Sequence, residues 1–244
     1  MHVIRHAIKR GVAAFARTTA GTQLLYAATE TDRRAQRFRE VESWPDSVSG
    51  FEDLDFLFTS SQLDHGVASL RLDEAALLYR TVRDEGAASI VEIGRFKGGS
   101  TLLIAAAMEP GSTLWSYDLH VPVRDDLTGA GLDAELREAL HRVGLESGVN
   151  LLVGDSRLVE IPPGPIDVLF IDGDHSYEGA RADAERWGPH VRSGGHMMFH
   201  DAVRTGGYAT TFPGVEQAVR EAVAGGLFTA VRGAGTIAHL VRMH

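Results

Sequence analysis

Short apolar segments alternate with helical segments through most of this chain, and that alternation restricts the possible folds more than any other feature of the sequence. The segments predicted as strands are almost wholly apolar, which is typical of parallel strands that helices cover on both faces. The tail, 227–243, predicts two strands joined through Gly233 and Gly235. We therefore predict an α/β fold, a doubly wound and mostly parallel sheet with a closing antiparallel hairpin.

The same pattern places the elements along the chain. Strands are predicted over 88–94, 113–119, 149–155, 166–172 and 194–201, before the two strands of the tail. Helices are predicted over 72–86, 99–108, 132–144, 177–191 and 215–226.

The beginning of the chain differs in charge from the rest. Its first forty residues carry most of their charge as Arg, whereas the remainder is acidic. They are either a targeting peptide or a basic helical arm that packs on its own domain or on a second subunit. We predict an N-terminal helical arm and lid over residues 1–70, a main domain over 71–244, and assembly as a homodimer or higher homo-oligomer.

Composition excludes several classes of protein. The 244 residues include no cysteine, so disulfides and thiolate metal sites are impossible, and a reducing cytoplasm is compatible with the sequence. The net charge of −9 argues against a general nucleic-acid binder. No apolar run approaches the roughly 20 residues that span a bilayer. We expect a cytoplasmic protein with a small-molecule partner, no nucleic acid and no membrane span.

Acidic residues and glycines stand where the predicted strands end. These strand-end residues are Glu92 and Gly94, Asp118, Asp155, Asp172, and the pair His200 and Asp201. In a sheet of this kind ligands bind in the crevice beyond the carboxyl ends of the strands. The sequence therefore predicts one ligand site at that edge.

The segment VEIGRFKGGS, residues 91–100, lies between a predicted strand and a predicted helix. Gly94 allows a tight turn, and Gly98 allows the backbone to approach a ligand closely. Ser100 is the last residue of the motif and lies in the first turn of the predicted helix, where backbone amides are unpaired. The dinucleotide spacing G-x-G-x-x-G is absent. The segment is either a cofactor loop or only a turn.

Two further strand ends fit a nucleoside. Asp118 follows the second strand at the place where an acid accepts hydrogen bonds from ribose hydroxyls. Asp155 and Ser156 follow the third strand and suit an adenine amino group. The alternatives are a solvated strand end for Asp118 and an ordinary turn for the other pair.

These motifs together resemble class I S-adenosylmethionine-dependent methyltransferases. The resemblance covers 88–202 and rests on VEIGRFKGGST, YDLH, GDSRLV, FIDGDHSYEGARAD and PHVRSGGHMMFHD. Within that superfamily the chain is most similar to the macrocin, mycinamicin and novobiocic acid O-methyltransferases, with cephalosporin hydroxylase-like proteins nearby. The resemblance implies a Rossmann-like methyltransferase fold of seven strands.

The resemblance also implies the cofactor S-adenosyl-L-methionine. Glu92, Gly94 and Gly98 would hold its methionine end, Asp118 its ribose and Asp155 its adenine. The full set of expected cofactor contacts is Glu92, Gly94, Gly98, Ser100, Asp118, Asp155, Ser156 and Asp172.

Members of that branch commonly bind a divalent metal, and the matching positions here are Asp172, His200 and Asp201. Neighbouring strands lie ~5 Å apart, so these side chains could share one ion. The branch often has an acid where this chain has His200. Magnesium prefers oxygen ligands, whereas an imidazole ligand suits manganese, iron or zinc at least as well. We predict Mg²⁺ or Mn²⁺. The alternative is that His200 caps the strand while Asp201 bonds a loop amide.

His175 follows Asp172 in Asp-x-x-His spacing and resembles the catalytic base of the mycinamicin enzyme. A neutral imidazole with a pKa near ~6.5 can accept the proton of an alcohol or phenol. The alternative is that Asp174, His175 and Ser176 only cap the next helix, although capping and catalysis can coexist.

The sequence thus predicts a metal-assisted O-methyltransferase acting on a hydroxyl of a small molecule, a sugar or phenolic natural product. One alternative is a metal-independent methyltransferase or a non-methylating, hydroxylase-like relative. The other is a non-catalytic S-adenosylmethionine-binding or scaffold protein. A nicotinamide-dependent reductase is disfavoured because G-x-G-x-x-G and a Tyr-x-x-x-Lys pair are both missing.

Overall fold

The computed structural model of the chain describes residues 47–58, 67–121, 128–203 and 212–244. The strands are β1 (Ser89–Ile93), β2 (Thr113–Asp118), β3 (Val149–Val153), β4 (Ile166–Ile171), β5 (Val191–Phe199), β6 (Phe228–Ala234) and β7 (Ile237–Arg242). The α-helices in these ranges are α1 (Leu72–Asp84), α2 (Gly99–Ala107), α3 (Gly129–Arg142), α4 (Tyr177–Trp187) and α5 (Pro213–Ala224). Two 3₁₀ helices, Phe51–Leu57 and Gly188–His190, complete the set.

The strands form a seven-stranded sheet in the order β3-β2-β1-β4-β5-β7-β6. The first five strands pair in parallel, and β7 runs antiparallel to both β5 and β6. The predicted fold class, including the closing hairpin, is therefore confirmed.

The strand registers bring the predicted site residues into line. Ile93 pairs with Tyr117 on one side and with Ile171 on the other, and Ile171 pairs with Phe199. The residues that follow these positions therefore emerge at one level of the sheet. Strand order also reverses between β1 and β4, which is where ligands bind in such sheets.

Helices cover both faces of the sheet, which explains why the strands lack alternation. On one face α1, α2 and α3 pack on strand residues such as Phe170 and Met198, and on the other α4 and α5 pack on residues such as Ile171 and Phe199. Trp187, which ends α4, is fully buried. Replacing a buried tryptophan of this kind with alanine lowers the free energy of unfolding by about 3–5 kcal/mol.

Three element boundaries differ from the prediction by three residues or more, and one of them is the start of the helix predicted from 132, which begins at Gly129. The helix predicted over 177–191 ends at Trp187 and continues as the 3₁₀ helix, with Pro189 at its start. The next strand begins at Val191 rather than at 194, because the glycine pair 194–195 hides its first residues from a pattern based on apolar side chains.

Residues before 70 share the main core. Leu54, Leu57, Val67 and Ala68 are buried in the cluster that contains α1 and α2, and a side chain on Gly99 would overlap the backbone of Ala68. The predicted boundary at residue 70 and the homo-oligomer stay predictions, and the predicted arm over residues 1–40 lies outside the described residues. None of the helices in the described ranges has the length and apolar character that crossing a bilayer requires.

Candidate active site at the carboxyl edge of the sheet

Backbone strain is concentrated where the strands end. Among the described non-glycine residues, those with positive φ are Phe96 (47°), His120 (55°) and Asp201 (55°). They follow β1, β2 and β5. Each such conformation costs of order 1–3 kcal/mol and persists only where the surroundings impose it, often at functional sites.

Two glycines form the loop between β1 and α2. Gly94 has φ 84°, and a side chain there would overlap the backbone carbonyl of Asp172 at the end of β4. Gly98 has φ 85° and is the N-cap residue of α2, where a side chain would overlap Leu136 of α3. The turn of this loop lies at Phe96 and Lys97, where Gly98 N–H donates to Arg95 O at 2.7 Å, and the tight turn predicted at Gly94 stays a prediction. The loop is held close to the ends of neighbouring elements, and Ser100 is buried in the first turn of α2.

Glu92 is fully buried beneath this loop. Its Oε2 accepts hydrogen bonds from Thr101 Oγ1 (2.6 Å) and Ser116 Oγ (2.5 Å). Burial raises the pKa of this carboxyl above its ordinary value. Its Oε1 is buried without a hydrogen-bond partner among the described residues. A buried acceptor left over beside a glycine loop fits a ligand that carries an ammonium group, as the methionine end of S-adenosylmethionine does.

Asp118 braces the glycine loop. Its Oδ2 accepts hydrogen bonds from the backbone N–H groups of Arg95 (3.1 Å) and Phe96 (3.0 Å), and its Oδ1 accepts from His120 N–H (2.7 Å). An ionised carboxylate has about four acceptor positions. It therefore keeps capacity for one hydroxyl, and its ribose contact stays a prediction.

Asp155 and Ser156 lie just beyond β3. Asp155 accepts two hydrogen bonds from the Arg157 side chain, at 2.8 and 2.6 Å, which lower the pKa of its carboxyl. Ser156 Oγ donates to Asp183 Oδ1 of α4 at 2.5 Å. Burial raises the pKa of Asp183 to about 6. The adenine contacts expected of the pair stay predictions, and Asp183 was not identified from the sequence.

Arg95 is a second residue that sequence reasoning missed. Its guanidinium is buried and makes a bidentate pair with Asp133 of α3, both contacts at 2.7 Å. It also donates to the backbone carbonyls of Ser116 and Leu152. The side chain thereby ties the glycine loop to α3, β2 and β3. An arginine in a glycine-rich loop carries no sequence signal for such a role.

Two carboxylates and two imidazoles meet at the ends of β4 and β5. Asp172 Oδ1 lies 3.3 Å from His175 Nε2 and 3.1 Å from His200 Nδ1. Asp201 Oδ2 lies 3.7 Å from the same nitrogen of His175 and 3.6 Å from that of His200. Both imidazoles therefore face the same pair of carboxylate oxygens.

These groups shift one another's titration. Burial would raise the pKa of Asp172, but the charges of His200 and His175 outweigh it and hold that pKa well below its usual range. Burial lowers the pKa of His175, but Asp172 and Asp201 outweigh it and raise that pKa. The pKa of His200 is raised well above its ordinary value by the same carboxylates, against the effect of its burial. Burial raises the pKa of Asp201.

The donor set fits a divalent cation. Asp172, His175 and Asp201 each offer a ligand atom, and the three atoms lie within 4.8 Å of one another. His200 offers Nδ1 to the same two carboxylates at the distances above. Carboxylate oxygens with imidazole nitrogen suit Mn²⁺, Fe²⁺ or Zn²⁺, and the carboxylates alone suit Mg²⁺. The geometry admits either histidine as the nitrogen ligand.

Glu74 of α1 lies behind this cluster and was also missed. It is buried, and its Oε2 lies 3.3 Å from His200 Nε2. Its Oε1 accepts from Thr236 N–H (2.6 Å) and Thr236 Oγ1 (2.9 Å). Burial alone would raise the pKa of Glu74, but His200 and the other donors lower it to about 2. The sequence places Glu74 only in the first turn of a helix.

The helix after β4 does not need His175 for its cap. Ser176 is the N-cap residue of α4, and its Oγ accepts from Gly179 N–H at 3.0 Å. Asp174 accepts from Ser176 N–H at 2.8 Å. His175 stacks on the ring of Phe212 with centroids 4.3 Å apart, and its side chain is 30% exposed. It is therefore open to a ligand, whereas His200 is buried.

Comparison with known proteins agrees with this architecture. Residues 91–202 match the family model described as a methyltransferase domain. An uncharacterized protein of Acanthamoeba polyphaga mimivirus is 29% identical over 118 residues, which are 46% of this chain and 50% of that protein. The chain thus spans about half the length of that relative.

Solved structures show the fold. An O-methyltransferase from Bacillus cereus in complex with SAH is 21% identical, with a TM-score of 0.55 over 71% of this chain and 83% of that one. A putative O-methyltransferase from Klebsiella pneumoniae is 19% identical, with a TM-score of 0.58 over 81% and 92%. The O-methyltransferase TomG from Streptomyces achromogenes, in complex with SAM, is 18% identical, with a TM-score of 0.55 over 72% and 82%. The chain therefore has the class I fold of S-adenosylmethionine-dependent methyltransferases.

Proposed function

We propose that this protein is an S-adenosylmethionine-dependent, divalent-metal-assisted O-methyltransferase that acts on a hydroxyl of a small molecule. The observation that carries the proposal is the contact between the two halves of the site. Gly94, in the loop assigned to the cofactor, lies so close to Asp172 that no side chain fits between them. A methyl donor on the loop and a hydroxyl near the carboxylates would then be neighbours.

On the cofactor side the chain supplies a rigid cradle. We assign the methionine end to the loop of Gly94 and Gly98 above Glu92, the ribose to Asp118, and the adenine to Asp155 and Ser156. The buried pair of Arg95 and Asp133 keeps that loop in place. Holding the methyl group and the attacking oxygen in line supplies much of the acceleration in a transfer of this kind.

On the acceptor side His175 takes the proton. The transfer forms an oxygen–methyl bond, breaks the sulfur–methyl bond and leaves the hydroxyl proton on the imidazole. A divalent cation held by Asp172, His200 and Asp201 would lower the pKa of the acceptor hydroxyl and orient it. Its charge, when bound, would also oppose the effect of the two carboxylates on His175 and so favour the neutral, proton-accepting imidazole.

His175 and His200 are assigned different roles because their surroundings differ. His175 is partly exposed, with one ring face against Phe212. His200 is buried, and its second nitrogen faces Glu74. A base must reach the substrate, whereas a ligand needs only the ion.

The acceptor class follows by analogy. TomG is involved in tomaymycin synthesis, which supports a natural-product hydroxyl, phenolic or on a sugar. The segments proposed as a wall and a lid of the acceptor pocket are 120–131 and 204–214, and their central parts, 122–127 and 204–211, lie outside the described residues. A cytoplasmic location and a homo-oligomer stay predictions.

Transfer of labelled methyl from S-adenosylmethionine to a panel of phenols and glycosides tests the proposal. We expect methylation of at least one acceptor, loss of turnover with chelator, and rescue by Mg²⁺ or Mn²⁺. Turnover that resists the chelator would indicate a metal-independent methyltransferase. Binding of S-adenosylhomocysteine without methylation of any acceptor would favour a non-methylating relative or a scaffold protein.

A further inference from the structure

Glu74 connects helix α1 to two of the residues assigned to the metal. It faces His200 directly, with 3.3 Å between Oε2 and Nε2. It reaches Asp201 through Thr236, whose hydroxyl donates to Glu74 Oε1 and accepts from Asp201 N–H at 3.2 Å. Asp201 has a strained backbone with φ 55°, and this chain of hydrogen bonds helps to hold it in that conformation.

The four contacts of Glu74 leave its carboxylate little freedom. Oε1 takes two donors from Thr236, and Oε2 takes Arg71 N–H at 2.7 Å besides His200. A side chain on Gly235, in the turn between β6 and β7, would overlap Glu74. The carboxylate is therefore enclosed, and its position is set by the fold.

Metal-bound histidines usually donate their second ring N–H to a carboxylate, which selects the tautomer and orients the ring. Glu74 stands in that relation to His200. With the proton on Nε2, the lone pair of Nδ1 is directed toward Asp172 Oδ1 (3.1 Å) and Asp201 Oδ2 (3.6 Å).

We propose that Glu74 is a positioning residue for the metal site: it holds the proton of His200 on Nε2 and so makes Nδ1 the ligand atom. The inference rests on the proposed function, because it concerns the cation assigned there. It names the ligand atom, which neither the sequence nor the family resemblance specifies.

Glu85 provides a matched control at the other end of the same helix. Its Oε1 lies 3.1 Å from Nε2 of His196, which lies within β5. Each glutamate lies at one end of α1 and faces an imidazole. Glu74 faces His200, which directly follows β5, and Glu85 faces His196 within β5. Only Glu74 adjoins the carboxylates of the site.

Glu74→Gln changes the tautomer with little change in shape, and it also removes the acceptor that Glu74 Oε2 offers to Arg71 N–H at 2.7 Å. Thr236 donates twice to Oε1, so the glutamine keeps its carbonyl oxygen there and turns its amide NH₂ toward His200. That group donates to Nε2 and moves the imidazole proton to Nδ1. We expect Mn²⁺ affinity, measured by the electron paramagnetic resonance signal of free Mn²⁺, to fall ~10–100-fold, while Glu85→Gln binds like the wild type.

Nitrogen-15 NMR of the Mg²⁺- or Zn²⁺-loaded wild type reads the tautomer directly. We expect the proton of His200 on Nε2, and a proton on Nδ1 would overturn the inference. If Glu74→Gln does not fold, His200→Asn and His200→Gln decide, since their side-chain oxygens approximate the positions of Nδ1 and Nε2 respectively. Asn should keep more Mn²⁺ affinity than Gln, and equal losses would contradict the assignment.

The outcomes separate the inference from the proposed function. Tight Mn²⁺ binding by a folded Glu74→Gln variant would overturn the inference and leave the proposed function standing. A wild type that binds no Mn²⁺ would overturn the inference together with the metal-assisted part of the function. Methyl transfer by that same protein would still support the remainder.

Discussion

Gly94 and Asp172 approach so closely that a single methyl group on Gly94 would overlap the carbonyl oxygen of Asp172. The residues directly follow the adjacent parallel strands β1 and β4, and Asp172 N–H also donates to Ile93 O at 2.8 Å. The loop assigned to the cofactor and the carboxylate assigned to the metal are thereby held at a fixed separation. The proposed methyl transfer depends on that closeness.

Gly94→Ala should therefore do more damage than the loss of one glycine elsewhere. Gly86 has a similar positive φ of 55°, but a side chain there meets nothing within 4 Å. Gly86→Ala should cost only the left-handed strain of about 1–2 kcal/mol. Gly94→Ala should cost more in unfolding free energy and weaken S-adenosylhomocysteine binding by at least ~10-fold, or about 1.4 kcal/mol.

Urea unfolding and calorimetric titration measure the two quantities for both variants. Equal effects of the two substitutions would show that the close approach to Asp172 has no consequence.

His175→Ala separates the base from the metal ligand. We expect turnover to fall ~10²–10⁴-fold, the usual contribution of a positioned acid–base group, while Mn²⁺ affinity changes little. Steady-state methyl transfer and Mn²⁺ titration on the same preparation check both. Loss of Mn²⁺ binding in this variant would instead make His175 the nitrogen ligand, as its position within 4.8 Å of both carboxylates also allows.

The two histidines at the β5–β7 contact predict acid sensitivity of the fold. His239 Nε2 and His196 Nδ1 are 2.7 Å apart, and Glu85 is the third titratable group there. Burial and His196 lower the pKa of His239 to about 4. The unfolded chain then binds more protons than the folded one between pH 6.5 and 4. The free energy of unfolding is therefore highest above pH 6.5 and decreases as the pH is lowered through that range.

The expected loss between pH 7.5 and 5 is about 2 kcal/mol. Urea unfolding at both pH values measures it, and His239→Gln, which keeps a polar atom near the Nε2 position, should reduce the difference. An unchanged pH dependence in the variant would assign the acid sensitivity to other groups.

The fold could be predicted from the sequence because it depends on a repeated pattern. Apolar strands separated by helices require a parallel sheet with both faces covered, and the chain turns between β6 and β7 at Gly235, whereas the other predicted glycine, Gly233, lies within β6. Asp172, His200 and Asp201 could be grouped in advance for the same reason. Residues at successive strand ends of one sheet edge are neighbours wherever they lie in the chain.

Partners that come from tertiary packing could not be predicted. Glu74 reaches His200 because the first turn of α1 packs against the turn between β6 and β7, and Arg95 reaches Asp133 because α3 covers the glycine loop. Neither of these helix-packing contacts produces a periodic pattern in the sequence. The division of roles between His175 and His200 depends on burial, which the pattern of these short segments does not encode.

The most direct test is a crystal structure with S-adenosylhomocysteine and Mn²⁺, measured for anomalous scattering. We expect the nucleoside along the glycine loop and one anomalous peak between Asp172 Oδ1, Asp201 Oδ2 and His200 Nδ1. Nucleoside bound there without a peak among these three atoms would contradict the metal-assisted account.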